Sequence, residues 1–314
     1  MSSAGDLLFS RGALLLVDKP KGLTSHDVVE RVRRTTGVKK IGHTGTLDPM
    51  ATGLLVLCCG RAARLQGFLT GLPKTYEGTI TLGRATTTYD AEGETTSEHA
   101  GGIAIGPDAL ERAAAKFRGT FEQSPPPYSA KKVGGRKFYE MARQGETVPQ
   151  APKSVTVSRF DLRLRGEKEI DFTLSCTSGT YIRSIAHELG ESLGVGAHLS
   201  ALRRTRIGDF ALADAVPLAT FEAAEEDVRV APPHAIPLAM IPFTFPRMTV
   251  ASLEAWKIRQ GQAIPARLQG AEGDWVSLLS PDGQMLALGQ MTPVGTGKIA
   301  MIKPRIVLAE ESRF

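Results

Sequence analysis

The sequence predicts an α+β protein, a mixed part of strands and amphipathic helices followed by an all-β part of about 70 residues. Three observations predict it. Residues Tyr76–Leu82 and Ile170–Cys176 alternate apolar with polar side chains, as half-buried strands do. Segments starting at Ser25 and after Tyr181 carry their apolar residues on one helical face. Beyond a Pro-rich stretch, Ala231–Pro246, helix signals fade and short strand-like runs are punctuated by Gly261, Gly270, Gly273, Gly283 and Gly295.

In chain order, Ala13–Val17 is a continuous apolar run that reads as a buried strand, ended by Asp18-Lys19-Pro20-Lys21-Gly22. Ser25 is expected to cap a helix with Val28, Val29 and Val32 on its inner face. Asp27 lies in its first turn, Arg31, Arg33 and Arg34 lie towards its end, and Gly37 stops it. Ile41–Gly53 is rich in Gly, Thr and Pro without a period, and Leu54–Cys58 resumes as a buried strand. After Tyr76–Leu82, a loop is expected over Gly83–Gly106, then a helix over Asp108–Phe117 closed by Gly119. Pro125, Pro126 and Pro127 form a rigid connector. Ser178-Gly179-Thr180 turns the second alternating strand into a helix bearing Ile182, Ile185, Ala186, Leu189 and Leu193. The Pro-rich linker sets the expected domains at residues 1–245 and 246–314.

With 314 residues, 42% hydrophobic and 23% charged, the chain can build a proper core. A net charge of +5 favours a polyanionic partner. Cys58, Cys59 and Cys176 are odd in number and lack CxxC spacing, which argues against a disulfide framework or a zinc site and suits a reducing cytoplasm. The early apolar run is too short for a signal-peptide core or a membrane span, so a cytoplasmic protein is expected. No phosphate-binding loop with Lys-Ser/Thr is present, which leaves NTP hydrolysis without support.

Chemistry concentrates in Gly42-His43-Thr44-Gly45-Thr46-Leu47-Asp48-Pro49-Met50-Ala51-Thr52-Gly53. Pro49 pushes Asp48 into extended backbone, and the glycines let a ligand approach closely. A carboxylate so presented could be a nucleophile, a base or a metal ligand; a turn-forming Asp-Pro is the plainer alternative. Arg183, just after a strand-to-helix turn, can supply a cation to hold Asp48 ionised, or it can be a solvated arginine. Tyr76, on the apolar face of its strand, is either a core residue or a stacking surface for an unpaired base, and Tyr181 is open to the same two readings. His43 is either an ordinary loop residue or a functional one.

Taken together and in this order, these segments resemble the bacterial TruB family of tRNA pseudouridine synthases. The resemblance runs from Leu14-Leu15-Leu16-Val17-Asp18-Lys19-Pro20 through the Gly42–Gly53 motif, Lys74-Thr75-Tyr76 and Leu82-Gly83 with Thr86, Thr88 and Asp90. It continues with Pro126-Pro127-Tyr128-Ser129-Ala130, Gly135, Tyr139, Ala142-Arg143-Gln144-Gly145, and Gly179-Thr180-Tyr181-Ile182-Arg183. It ends at Gly196-Ala197-His198-Leu199 and Leu202-Arg203-Arg204. It implies a mixed, mainly antiparallel sheet flanked by helices, the pseudouridine synthase fold, with a small C-terminal PUA-like barrel that binds RNA. It implies Asp48 as catalytic residue, Tyr76 and Arg183 as its catalytic partners, and His43, Tyr181, Leu202 and Lys19 around the substrate. Lys19 with Pro20 matches a motif that supports the catalytic loop. Residues 150–168 and 222–246 show no clear family pattern.

The implied reaction converts uridine to pseudouridine at position 55 in the T loop of tRNA, and the implied partner is the T-arm stem-loop, bound by a monomer. The base must first be extruded. His43 fills the vacated space, Tyr76 stacks on the uracil, and Asp48 either attacks the sugar or removes a sugar proton. No cofactor or metal is required. Two other classes compete: a non-catalytic module that remodels tRNA, a role that could also accompany catalysis, and a glycoside or nucleoside hydrolase. The latter usually needs two carboxylates flanking the bond.

Overall fold

The structure, a computed structural model, describes residues 4–126, 132–133, 136–137, 152–225, 229–231, 233–292 and 300–309. After helix α1 (Ala4–Arg11) come β1 (Ala13–Lys19), α2 (Ser25–Thr36), β2 (Ile41–His43) and β3 (Thr52–Cys59). A short 3-10 turn and α3 (Gln66–Thr70) lead to β4 (Lys74–Leu82), the hairpin β5 (Arg84–Thr86) and β6 (Thr95–Glu98), α4 (Pro107–Ala115) and β7 (Gly119–Gln123). Then follow the two-residue strands β8 (Lys132–Val133) and β9 (Arg136–Lys137), then β10 (Lys153–Arg165), β11 (Glu169–Cys176), α5 (Ile182–Ser192), β12 (Ala197–Ile207) and β13 (Phe210–Ala211). The first sheet closes with β14 (Val216–Pro217), α6 (Leu218–Ala223) and β15 (Ala235–Pro237). The last stretch holds β16 (Arg247–Thr249), α7 (Ser252–Arg259), β17 (Ile264–Pro265), β18 (Trp275–Leu279), β19 (Met285–Thr292) and β20 (Met301–Val307).

The main sheet runs β14-β1-β3-β12-β4-β11-β10-β7, with β15 on β1, β2 on β3 and β13 on β12. It is mixed and mainly antiparallel: β1–β14 and β3–β12 pair in parallel. Strand β1 is apolar over its first five residues, Ala13–Val17, because both its faces are covered there. Leu15 and Val17 pack with Val28, Val29 and Val32 of α2, while Leu14 and Leu16 face a second cluster with Leu54 and Val56. Tyr76, Ile80 and Leu82 of β4 point to a third cluster under α4 and α5. The second sheet runs β16-β18-β19-β20-β17, so β16 and β17 are its edges.

Several elements differ from the sequence reading. Thr24, not Ser25, caps α2: its hydroxyl accepts from Asp27 N, and the Asp27 carboxylate accepts from Thr24 N, a reciprocal box. Gly37 closes that helix at φ +69°. The expected loop at 83–106 contains the β5–β6 hairpin. The Pro-rich linker is partly built into the main sheet, since β15 pairs with Ala13–Leu15 of β1 and Leu238 and Ile241 are buried. The C-terminal part, expected to lack helices, has α7, whose eight residues are too few for a strong periodic signal. The family-like residues Pro127–Ala130, Gly135, Tyr139 and Ala142–Gly145 lie outside the described residues.

The two sheets share apolar packing. Phe68 of α3 meets Trp275 of β18 edge-on, with ring centroids 4.8 Å apart, and also meets Phe243 and Phe245. Leu288 and Leu308 belong to the cluster that contains Leu14 and Leu54. Arg61 donates to Leu308 O at 3.2 Å and Arg64 donates to Val307 O. Among the described residues no helix is long and apolar enough to cross a membrane.

Candidate active site

Asp48 stands on the loop between β2 and β3, and buried groups anchor that loop on both sides. Because Thr24 takes the cap, Ser25 has its hydroxyl free for the loop. Ser25 Oγ accepts from Leu47 N at 2.8 Å and lies 3.2 Å from Leu47 O. Gly22 N donates to Pro49 O at 2.8 Å. The Lys19 ammonium, inaccessible to solvent, donates to the carbonyls of Pro20, Leu23 and Pro49 at 2.9, 2.6 and 3.4 Å. Burial lowers its pKa to about 8, against an opposing pull from the Asp48 charge. Leu47 and Met50 turn into the core, so the chain between them offers the Asp48 carboxylate outward, 39% exposed.

Arg183, in the first turn of α5, reaches that carboxylate. Its Nε lies 3.0 Å from Asp48 Oδ2, while its Nη1 lies 2.9 Å from Thr88 O and 3.4 Å from Asp90 Oδ2. Asp90 is buried and accepts from Thr88 Oγ1 at 2.6 Å and Glu92 N at 3.1 Å. A buried guanidinium needs compensating charge and acceptors. Here one carboxylate holds it from behind and leaves its Nε edge for Asp48.

The floor is set by strand register. Tyr76 of β4 stands opposite Arg204 of β12, and Gly78 opposite Leu202. Tyr76 and Leu202 are buried in one cluster with Leu47, Met50, Leu174 and Ile182. Burial raises the Tyr76 phenol pKa, an effect opposed by the Arg204 guanidinium beside its hydroxyl. Arg204 is almost wholly buried and donates to Leu54 O at 2.8 Å and Gly45 O at 3.0 Å. The β3–β12 crossing requires a glycine at position 53: φ is +99°, and a Cβ there would lie 2.4 Å from Arg204 O.

His43 ends β2, half-buried, with its Nδ1 3.3 Å from Gly45 N; Gln66 Nε2 donates to its carbonyl at 2.9 Å. Burial, and then the nearby Arg204 charge, lower its pKa and favour the neutral ring. Tyr181 precedes α5, and its backbone is held on both sides by Gln123, at 2.8 and 3.0 Å. The structure thus brings Asp48, Arg183, Tyr76 and Leu202 together and places Lys19 beneath the loop. Asp90 and Arg204 were missed as site residues, although both stand in motifs that carry the family resemblance. Arg204 is also in phase with Leu202 on its strand, a placement that points inward.

A mixed sheet, a smaller companion sheet and an Asp–Arg pair above an apolar floor thus define the site. The TruB family pseudouridylate synthase N-terminal domain matches residues 33–182, and the tRNA pseudouridylate synthase B C-terminal domain matches residues 183–231. A tRNA pseudouridine synthase B of Mycobacterium sp. (strain KMS) is 43% identical over 298 residues, 93% of this chain and 97% of that protein. One of Geobacillus thermodenitrificans is 41% identical over 300 residues, 92% and 98% of the two chains. In fold, the chain superposes on a chain of an H/ACA RNP solved with a substrate RNA containing 2′-deoxyuridine. The TM-score is 0.72 at 21% identity, covering 98% of this chain and 88% of that one. These matches define a pseudouridylate synthase. The chain belongs to the TruB family.

Proposed function

We propose that this protein isomerises uridine to pseudouridine in tRNA, at the T-loop position, with Asp48 acting on the ribose of an extruded nucleotide. The observation that carries the reading is the Asp48 carboxylate, open to solvent on one side and fixed by the buried Arg183 on the other. The reaction breaks the N1–C1′ bond, turns the uracil and forms the C5–C1′ bond; a proton leaves C5 and N1 gains one, so the composition is unchanged. Attack at C1′ and removal of a ribose proton both use a carboxylate at this place, and the Arg183 guanidinium, 3.0 Å away, orients it. Tyr76 and Leu202 cradle the uracil, Tyr181 borders it, and the neutral His43 ring enters the space the base has left. Lys19 supports this arrangement from below.

The division at residues 245/246 gives a catalytic part and a PUA-like part that both meet RNA. A groove of about 1630 Å³ between the two sheets supports this: Arg11, Lys39, Lys40, Arg61, Arg64 and Arg259 line it. Such a groove suits a phosphate backbone. The enzyme works as a cytoplasmic monomer on the T arm. Among the described residues, the carboxylate beside this pair, Asp90, is sealed behind Arg183 and cannot flank a glycosidic bond, which takes support from the hydrolase alternative.

The test is Asp48→Asn beside the unaltered protein, on unmodified tRNA transcript with no additive. The variant keeps the volume of the side chain and loses its charge. Turnover is expected to fall by several orders of magnitude with tRNA affinity nearly unchanged, since phosphate and stacking contacts dominate binding. Retained turnover in Asp48→Asn would overturn the assignment.

A further inference from the structure

Tyr89 is the one non-glycine residue with positive φ among the described residues, at +64°. A side chain in that left-handed region is strained, and such strain persists only where surrounding structure imposes it. Tyr89 lies between the two groups of its turn that hold Arg183, the Thr88 carbonyl and the Asp90 carboxylate. Its main chain is tied through both groups: Leu199 N donates to Tyr89 O at 3.0 Å and Tyr89 N donates to Thr86 O at 3.2 Å. Its ring lies flat on the imidazole of His187, with centroids 3.8 Å apart and planes 7° apart.

His187 follows Arg183 by four residues on α5, which puts both on one helical face. The helix therefore grips the 88–90 turn at two points, by charge through Arg183 and by ring contact through His187. Among the described residues, the buried Nδ1 of His187 has no hydrogen-bond partner, and its Nε2 lies 3.4 Å from Glu191. Burial lowers the pKa of this ring, which favours the neutral form. What this imidazole offers Tyr89 is its face.

We propose that Tyr89 and His187 are positioning residues for the Arg183–Asp48 pair: their stacked rings clamp the turn whose carbonyl and carboxylate hold Arg183. This rests on the reading of Asp48 and Arg183 given above. Without the stack the turn relaxes toward right-handed backbone. The Thr88 carbonyl or the Asp90 carboxylate then leaves Arg183, and the guanidinium no longer fixes Asp48.

The test compares Tyr89→Ala, His187→Ala and the double variant with Tyr89→Phe and His187→Phe, which keep flat rings. Single-turnover rates on saturating tRNA are expected to fall about ten- to a hundredfold in the alanine variants, with tRNA Kd unchanged. The double variant is expected to be no slower than the slower single, and the phenylalanine variants to recover most of the rate. Tyr89→Gly adopts positive φ without strain, so it folds and can keep the turn without the stack; it is expected to be faster than Tyr89→Ala. Wild-type rates in Tyr89→Ala and His187→Ala, or losses that multiply in the double variant, would overturn the proposal. A second readout is the Nε–H resonance of Arg183, assigned by its loss in Arg183→Lys. It is expected to be protected from exchange in the free protein and exposed in the alanine variants, and equal protection in all would also overturn the proposal. If the unaltered protein makes no pseudouridine, the functional reading fails while this resonance still decides the clamp.

Discussion

Replacing Asp90 by Asn tests whether the site depends on the carboxylate behind Arg183. Both side chains are nearly sealed from solvent, at 9% and 5% exposure, so their attraction is little screened. At 3.4 Å and an effective dielectric of about 20, opposite unit charges attract by about 5 kcal/mol. Part of that offsets the desolvation of Asp90 itself, and breaking one side of a buried pair costs about 3–5 kcal/mol. Asn retains an oxygen that can accept from Thr88 and Glu92, which places the loss of stability near the lower end, about 3 kcal/mol. The catalytic loss has a different origin. A guanidinium that has lost the buried charge behind it can follow the half-exposed Asp48 outward against the hold of the Thr88 carbonyl, and misplacement by about 1 Å costs turnover about a hundredfold. Urea unfolding reads the first quantity; release of tritium from C5-labelled uridine in bound tRNA reads the second. A lowered urea midpoint with unchanged turnover on bound tRNA would refute the reasoning, leaving Asp90 a structural residue that catalysis does not feel.

Two further outcomes follow from other contacts. Turnover should fall as pH rises through about 8, because Lys19 there loses the proton that serves the Pro20, Leu23 and Pro49 carbonyls. Stability moves the other way: between about 8 and 10.5 the unfolded chain holds a proton the folded one has released, so this group makes folding more favourable with rising pH. A rate profile whose alkaline limb survives in Lys19→Met, measured beside Lys74→Met as control, counts against the assignment. Trp275→Ala should destabilise the whole chain by about 3 kcal/mol in one unfolding transition, because its ring packs on Phe68 of α3, in the cluster that contains Leu14 and Leu54 of the main sheet. Two separate transitions in calorimetry would show that the sheets fold independently.

Local features of the site were legible in the sequence, and long-range ones were not. Pro49 and the glycines around Asp48 announce an exposed loop, and the strict alternation of Tyr76–Leu82 gives both strand and face. The partner of Asp48 could be guessed because a strand-to-helix turn puts Arg183 near a cleft. Thr24 and Ser25 are equally good caps by type, and only the distant Leu47 decides which hydroxyl goes where. Asp90 looks like a turn residue until the turn is seen to close on α5. Strand β15 was hidden because proline usually interrupts a sheet, whereas here Pro237 sits at the last position of a three-residue strand.

Arg204 has a consequence for how ionic strength acts on this protein. Its charge faces Tyr76 and His43 from beneath, and among the described residues no carboxylate pairs with it; it donates to the Leu54 and Gly45 carbonyls. Counter-ions cannot reach a side chain sealed in this way, so added salt leaves its field intact. Exposed lysines and arginines are screened in the ordinary manner, and so are any contacts they make with phosphates. Salt should therefore weaken capture of tRNA steeply while the isomerisation of RNA already bound proceeds at an undiminished rate.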